Sequence, residues 1–193
     1  MAFAGNNKKK LVLFASGNGT NVENILNYFK NNNRVSFLKV FTNNSKAMVL
    51  KKIAPFAIKS RCFNSIELKE DLIFNELKLL NPDLIVLAGF LLKIPTSIIN
   101  YFQNKIINIH PALLPNYGGK GMYGINVHKA VKINNEKKSG ITIHYVDNGY
   151  DTGKIIFQKE VKISKLDSVE DISNKVQNLE LEHFPRVIEL ILF

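Results

Sequence analysis

Cysteine is almost missing from this sequence of 193 residues, with Cys62 the only one. A disulfide within the chain is therefore excluded, and so is a zinc site built on paired cysteines. No His, Asp or Asn motif surrounds Cys62, so it is not read as a nucleophile. The shortage suits a reducing, cytoplasmic setting. No run of about eighteen apolar residues occurs, so no membrane span is expected. Met1 to Lys10 is polar and basic without an apolar core. That excludes a secretory signal, and residues 1–9 read as a disordered leader ahead of one domain over 10–193. Arginine is scarce as well: of 26 Lys and Arg residues, only Arg34, Arg61 and Arg186 are arginine. Recognition of bases and phosphates favours the guanidinium fork. The net charge of +10 therefore does not read as a nucleic-acid surface. Abundant Lys, Asn and Ile share A/T-rich codons, which accounts for the bias.

What remains is enough for one α/β domain with a real core, since 46% of the residues are hydrophobic. Lys10 to Ala15 is a short apolar run that reads as a buried strand, followed by the turn Ser16-Gly17-Asn18-Gly19-Thr20-Asn21. Thr20 or Asn21 is expected to cap a helix that buries Val22, Ile25, Leu26 and Phe29. A Gly-x-Gly turn serves equally as a tight connection or as an anion cradle at a helix start. The full dinucleotide fingerprint is absent, because Val22 occupies its last glycine position, and NAD is disfavoured.

Arg34 to Thr42 reads as a second strand. A helix is expected to start at Asn43-Asn44-Ser45 and end before Pro55, with a short strand over Phe56 to Lys59. Asn64 and Glu67 have capping-box spacing, and a helix to Leu80 is expected to bury Ile66, Leu72, Ile73, Leu77 and Leu80. Asp83 to Phe90 is apolar and closes on Gly89, which reads as a parallel strand buried on both faces. Ile125 to Ile133 reads as a helix in which His128 is structural or exposed. Ser139 to Asp147 and Lys154 to Ile163 alternate as neighbouring antiparallel strands do. Ser168 and Asp171 open a final helix with Ile172, Val176, Leu179, Val187 and Ile191 turned inward, and Pro185 is expected to kink it. No internal repeat or interdomain linker is found.

The chemistry concentrates in Asn108-Ile109-His110-Pro111. Lys105 to Ile109 reads as a strand, and Pro111 and Pro115 stop its continuation. Residues two apart on a strand share a face, so Asn108 and His110 present an amide and an imidazole together beyond the strand end. In open α/β sheets, ligands gather there. A lone histidine at such a place is also an ordinary structural residue. The second polar stretch, Gly140 to Gly153, adds Asp151 in a glycine-bracketed loop, with His144 read as structural and away from that turn.

Asn108-Ile109-His110-Pro111, Leu113-Leu114-Pro115 and Asp151-x-Gly153 resemble the core of the folate-dependent formyltransferases. Within that superfamily the chain is most similar to the glycinamide ribonucleotide formyltransferases of purine synthesis, from Leu11 to about Pro185. The resemblance implies a three-layer α/β fold, with a Rossmann-like, mostly parallel sheet and antiparallel strands in the C-terminal part. It implies Asn108, His110 and Asp151 as catalytic residues. Gly19, Thr20, Asn21, Gly89 and Glu180 would bind the nucleotide's phosphate and amine side, although Glu180 also reads as a solvated helix residue. Phe90, Leu91, Leu92, Ile94, Asn108, Asp147 and Asp151 would bind the folate. The co-substrate implied is 10-formyltetrahydrofolate, without a metal, a membrane or a nucleic-acid partner, in a monomer or homodimer. Where relatives carry a nucleotide-contacting Arg this chain has Ile66, and Gly118 to Tyr123 replaces a His-rich segment. Methionyl-tRNA formyltransferase and formyltetrahydrofolate deformylase belong to the same superfamily, but each commonly carries a further domain.

Overall fold

The computed structural model describes residues 8–193. The expected leader lies outside the described residues up to residue 7; Lys9 already belongs to the first strand. Seven strands form one sheet: β1 (Lys9–Phe14), β2 (Val35–Thr42), β3 (Ser60–Cys62), β4 (Leu84–Leu87), β5 (Ile106–His110), β6 (Lys138–Tyr145) and β7 (Ile155–Lys162), in the order β3-β2-β1-β4-β5-β6-β7. β3 to β5 in that order pair in parallel, and β6 and β7 are antiparallel. The mostly parallel sheet with an antiparallel C-terminal part is therefore present.

The period-two alternation of side chains makes two cores from one sheet. Leu11, Leu13 and Ala15 of the β1 segment join Val22, Ile25 and Leu26 of helix α1 (Thr20–Tyr28) on one face. Val131 of α6 (Ile125–Ile133) and Ile172, Val176 and Phe184 of α7 (Val169–Leu192) belong to the same cluster. Val12 and Phe14 turn the other way, onto Leu68 of α3 (Ser65–Lys69), Leu77 of α4 (Leu72–Leu80) and Ile98 of α5 (Thr96–Tyr101). Phe14 stacks on Phe41 at 4.8 Å and meets Phe90 edge-on at 5.2 Å, so aromatic packing anchors the chain just beyond β4.

The capping boxes at Asn64/Glu67 and Ser168/Asp171 are both formed. Other expectations need correction. α1 is entered through Gly19, with φ +71° and no side-chain cap, so neither Thr20 nor Asn21 caps it. The helix expected from Asn43 starts only at α2 (Val49–Ile53), because Asn44 instead closes a local turn through Lys46 N–H. Pro55 lies inside a 3₁₀ turn, Ala54–Phe56, and the strand expected at Phe56 to Lys59 lies instead at β3. The helix expected through Leu80 is broken: Asp71 takes φ +59°, which rotates the apolar stripe and leaves Ile66 and Leu72 exposed while Leu68 and Ile73 are buried.

α7 runs through Pro185. A proline has no N–H to offer the carbonyl four residues back, and Leu181 O accepts instead from Asn24 Nδ2 of α1 at 2.7 Å. The irregularity in α7 is thus converted into a lock between two helices that border the cleft.

Candidate active site

A cleft of about 520 Å³ opens at the carboxyl ends of β1, β4 and β5. The chain runs outward from β1 through β2 to β3 and then returns to β4 on the other side, so this is the point where strand order reverses and an open α/β sheet parts. Ser16 fastens the two loops that diverge here: its Oγ donates to Asn43 Oδ1 at 2.6 Å and accepts from Leu91 N–H at 2.9 Å. Gly19, Thr20, Asn21, Gly89, Phe90, Leu91, Leu92, Ile94, Asn108, His110, Asp147, Asp151 and Glu180 all line this one cleft.

The polar centre is assembled from β5, β6 and the loop between β6 and β7. Asn108 of β5 lies opposite His144 of β6, and Asn108 Nδ2 lies 3.2 Å from His144 Nε2. His144 Nδ1 lies 2.8 Å from its neighbour's carbonyl, Tyr145 O, so Nδ1 carries the proton and Nε2 accepts from the amide. Asp151 Oδ1 stands 3.5 Å from Asn108 Nδ2 and 3.6 Å from His144 Nε2. Its Oδ2 accepts from Gly119 N–H at 3.0 Å and stands 3.5 Å from His110 Nδ1. His144 therefore belongs to the site, correcting its reading as a structural residue away from the Asp151 turn. The antiparallel register that brings it opposite Asn108 is a property of strand pairing, and no local pattern carries it.

Two backbone devices hold Asp151 in place. Asp151 itself has φ +57°, a conformation that Asp and Asn tolerate better than most residues. Gly153 is required two residues on, because a Cβ there would lie 1.8 Å from Tyr145 O. The entry to the preceding loop is equally pinned: Thr142 Oγ1 donates to Ala112 O and accepts from Leu114 N–H at 3.0 Å.

The electrostatics differ from a simple imidazole–carboxylate pair. His110 is 3% exposed, and burial lowers its pKa more than Asp151 and the Tyr117 carbonyl raise it. An aspartate beside an imidazole favours the protonated ring, but here desolvation wins and the ring rests neutral. His110 Nε2 lies 2.8 Å from Tyr117 O, so Nε2 carries the proton and Nδ1 faces Asp151. Burial works to raise Asp151, but the adjoining His144 ring, the Gly119 N–H hydrogen bond and His110 outweigh it and hold the carboxyl below its ordinary range.

At the other end, Asn21 Nδ2 donates to Glu180 Oε2 at 2.8 Å. Burial pushes the Glu180 carboxyl up to about 7, against the Asn21 hydrogen bond. Lys52 Nζ lies 3.4 Å from Thr20 Oγ1 and 2.8 Å from Glu23 Oε2, placing a cation beside the Gly19 turn. Sequence reasoning missed this lysine, one of many without a motif. Arg61, the arginine nearest in sequence to Ile66, is paired with Glu67 and Glu76. His128, expected to be structural or exposed, is buried and lines the cleft. Among the described residues no cluster of three or more His, Cys, Asp or Glu is placed to hold a metal ion. No helix among them is long and apolar enough to cross a membrane.

Residues 9–188 match the protein family described as Formyl transferase. The chain is 38% identical over 190 residues to the phosphoribosylglycinamide formyltransferase of Bacillus subtilis (strain 168), covering 95% of each chain. It is 30% identical over 184 residues to that of Escherichia coli (strain K12), covering 92% of this chain and 84% of the other. The crystal structure of glycinamide ribonucleotide transformylase 1 from Geobacillus kaustophilus superposes with a TM-score of 0.88 at 30% identity, covering 97% of this chain and 100% of that one.

Proposed function

The chain belongs to the formyl transferase family, and from that membership we propose that it transfers the formyl group of 10-formyltetrahydrofolate to the amine of glycinamide ribonucleotide. One observation carries the chemistry: Asn108, His110 and Asp151 converge in a single cleft whose walls also hold the Gly19 turn and the Gly89–Ile94 segment. Residues 10–193 act as one formyltransferase domain in the cytoplasm, as a monomer or homodimer.

The nucleotide phosphate sits against the N–H groups of Gly19, Thr20 and Asn21, where α1 begins without a side-chain cap and Lys52 supplies a cation. Gly89 and Glu180 flank the amine-bearing part. The folate occupies the opposite wall, against Phe90, Leu91, Leu92 and Ile94, with Asn108, Asp147 and Asp151 closing it. The amine attacks the formyl carbon, a C–N bond forms and the carbonyl oxygen becomes an oxyanion. Asn108 keeps its 3.2 Å contact to His144 Nε2 and exchanges the longer 3.5 Å contact to Asp151 for the oxyanion. Neutral His110 takes the amine proton at Nδ1, and the Asp151 carboxylate balances the imidazolium. The same proton passes to the folate nitrogen as its bond to carbon breaks. No covalent enzyme intermediate and no metal are needed.

The test is loss of 10-formyltetrahydrofolate with three acceptors in parallel: glycinamide ribonucleotide, initiator tRNA and water. Turnover with the nucleotide alone is expected. Faster turnover with tRNA or water would assign the chain to another branch of the superfamily.

A further inference from the structure

His128 lies on the buried side of α6 with Val127 and Val131. It is 4% exposed, and its ring forms part of the cleft wall with His110, Ile125 and α7 residues including Gln177 and Glu180. Nδ1 is sealed from solvent and has no hydrogen-bond partner. Nε2 is not among the sealed, partnerless atoms and His128 lines the cleft, so Nε2 is the ring atom left to serve it. An imidazolium carries N–H on both nitrogens. Charging this ring would therefore seal a cationic donor away from every acceptor, which is far costlier than leaving a bare ring nitrogen there. Burial lowers the pKa of His128, and a proton gained by His110 would lower it further.

We propose that His128 is a permanently neutral donor in the cleft wall, with its proton on Nε2, and that it holds an oxygen of the amine-bearing substrate. The inference rests on the formyl-transfer reading above. The substrate end follows from the sheet's two faces. α6 packs with α1 and α7 in one core through Val131, while Phe90 and Ile94 belong to the other. Glu180 of α7 is hydrogen-bonded to Asn21 of the turn proposed for the phosphate. Neighbouring histidines thus divide the work: His110 changes its protonation during transfer, and His128 supplies a fixed donor without adding a charge that would oppose it.

The experiment compares His128→Leu, which fills the space without a polar atom, with His128→Gln, whose amide N–H reaches toward the Nε2 position. His128→Leu is expected to raise KM for glycinamide ribonucleotide by about tenfold or more, to change kcat less, and to leave KM for 10-formyltetrahydrofolate unchanged; His128→Gln should recover most of the loss. Nitrogen-detected NMR of the ligand-free wild type should show the Nε2–H tautomer from pH 5.5 to 8. An unchanged nucleotide KM in His128→Leu, a shift in folate KM instead, or an imidazolium at pH 6.5 would overturn the proposal. If the wild type fails to formylate the nucleotide, the functional reading falls separately. The NMR and a calorimetric titration of the wild type and His128→Leu with glycinamide ribonucleotide then still decide His128.

Discussion

Replacing Asp151 by Asn removes a charge and little else. The residue has φ +57°, which Asn adopts about as readily as Asp, so the backbone is not strained as it would be by Ala. The side chain keeps its size and one carbonyl oxygen. That oxygen can still accept from Gly119 N–H, now 3.0 Å from Oδ2; the new NH₂ group replaces Oδ1, so Asn108 loses its long 3.5 Å contact there and keeps His144 Nε2 as its partner. What disappears is the anion 3.5 Å from His110 Nδ1. At that separation, with an effective dielectric constant near 20, the attraction between carboxylate and imidazolium is about 4–5 kcal/mol. The imidazolium exists only after the amine proton has moved, so the loss falls on the transition state rather than on substrate binding. Some of it is offset by the lower cost of burying a neutral group, which leaves roughly 4 kcal/mol, about a thousandfold in kcat. The assay is formyl transfer with both substrates saturating, alongside folate binding and thermal unfolding, neither of which should change appreciably. A kcat within tenfold of wild type would refute the reasoning and remove Asp151 from the proton-transfer pathway.

Three further outcomes follow from the same geometry. Asn108→Ala should lower kcat by about a hundredfold or more through the oxyanion alone, and the Asn108→Ala, Asp151→Asn double variant should lose less than the product of the single losses because the residues act as one unit. Asn24→Ala should leave the carbonyl freed by Pro185 unpaired, lowering stability in urea by about 1–3 kcal/mol; no change would mean that water replaces Asn24 without cost. Glu180, raised to about 7, binds its proton more tightly when folded than when unfolded. Its contribution to stability should therefore fall as pH rises from about 4.5 to 7, by roughly 3 kcal/mol. The lowered pKa values of His110 and His128 act in the opposite sense below pH 6.5. The measurement is accordingly the stability difference between wild type and Glu180→Gln at pH 5 and pH 7.5, and a difference independent of pH would contradict the burial of Glu180.

The sequence by itself determined the elements whose cause is local. Apolar runs marked β1, β4 and β5, both capping boxes formed where their spacing placed them, and α6 matched its expected bounds. The Asn-x-His pattern on one strand face was legible because side chains on a strand alternate whatever lies beyond it. Tertiary structure decided what depends on partners distant in the chain. Asp71 broke a helix that reads as continuous. The pairing of β5 with β6 placed His144 against Asn108, and the packing of α6 turned His128 into the cleft wall. The resting charge of His110 came last, because it is a difference between burial, which only the folded chain creates, and a carboxylate that only a loop 40 or so residues away can deliver.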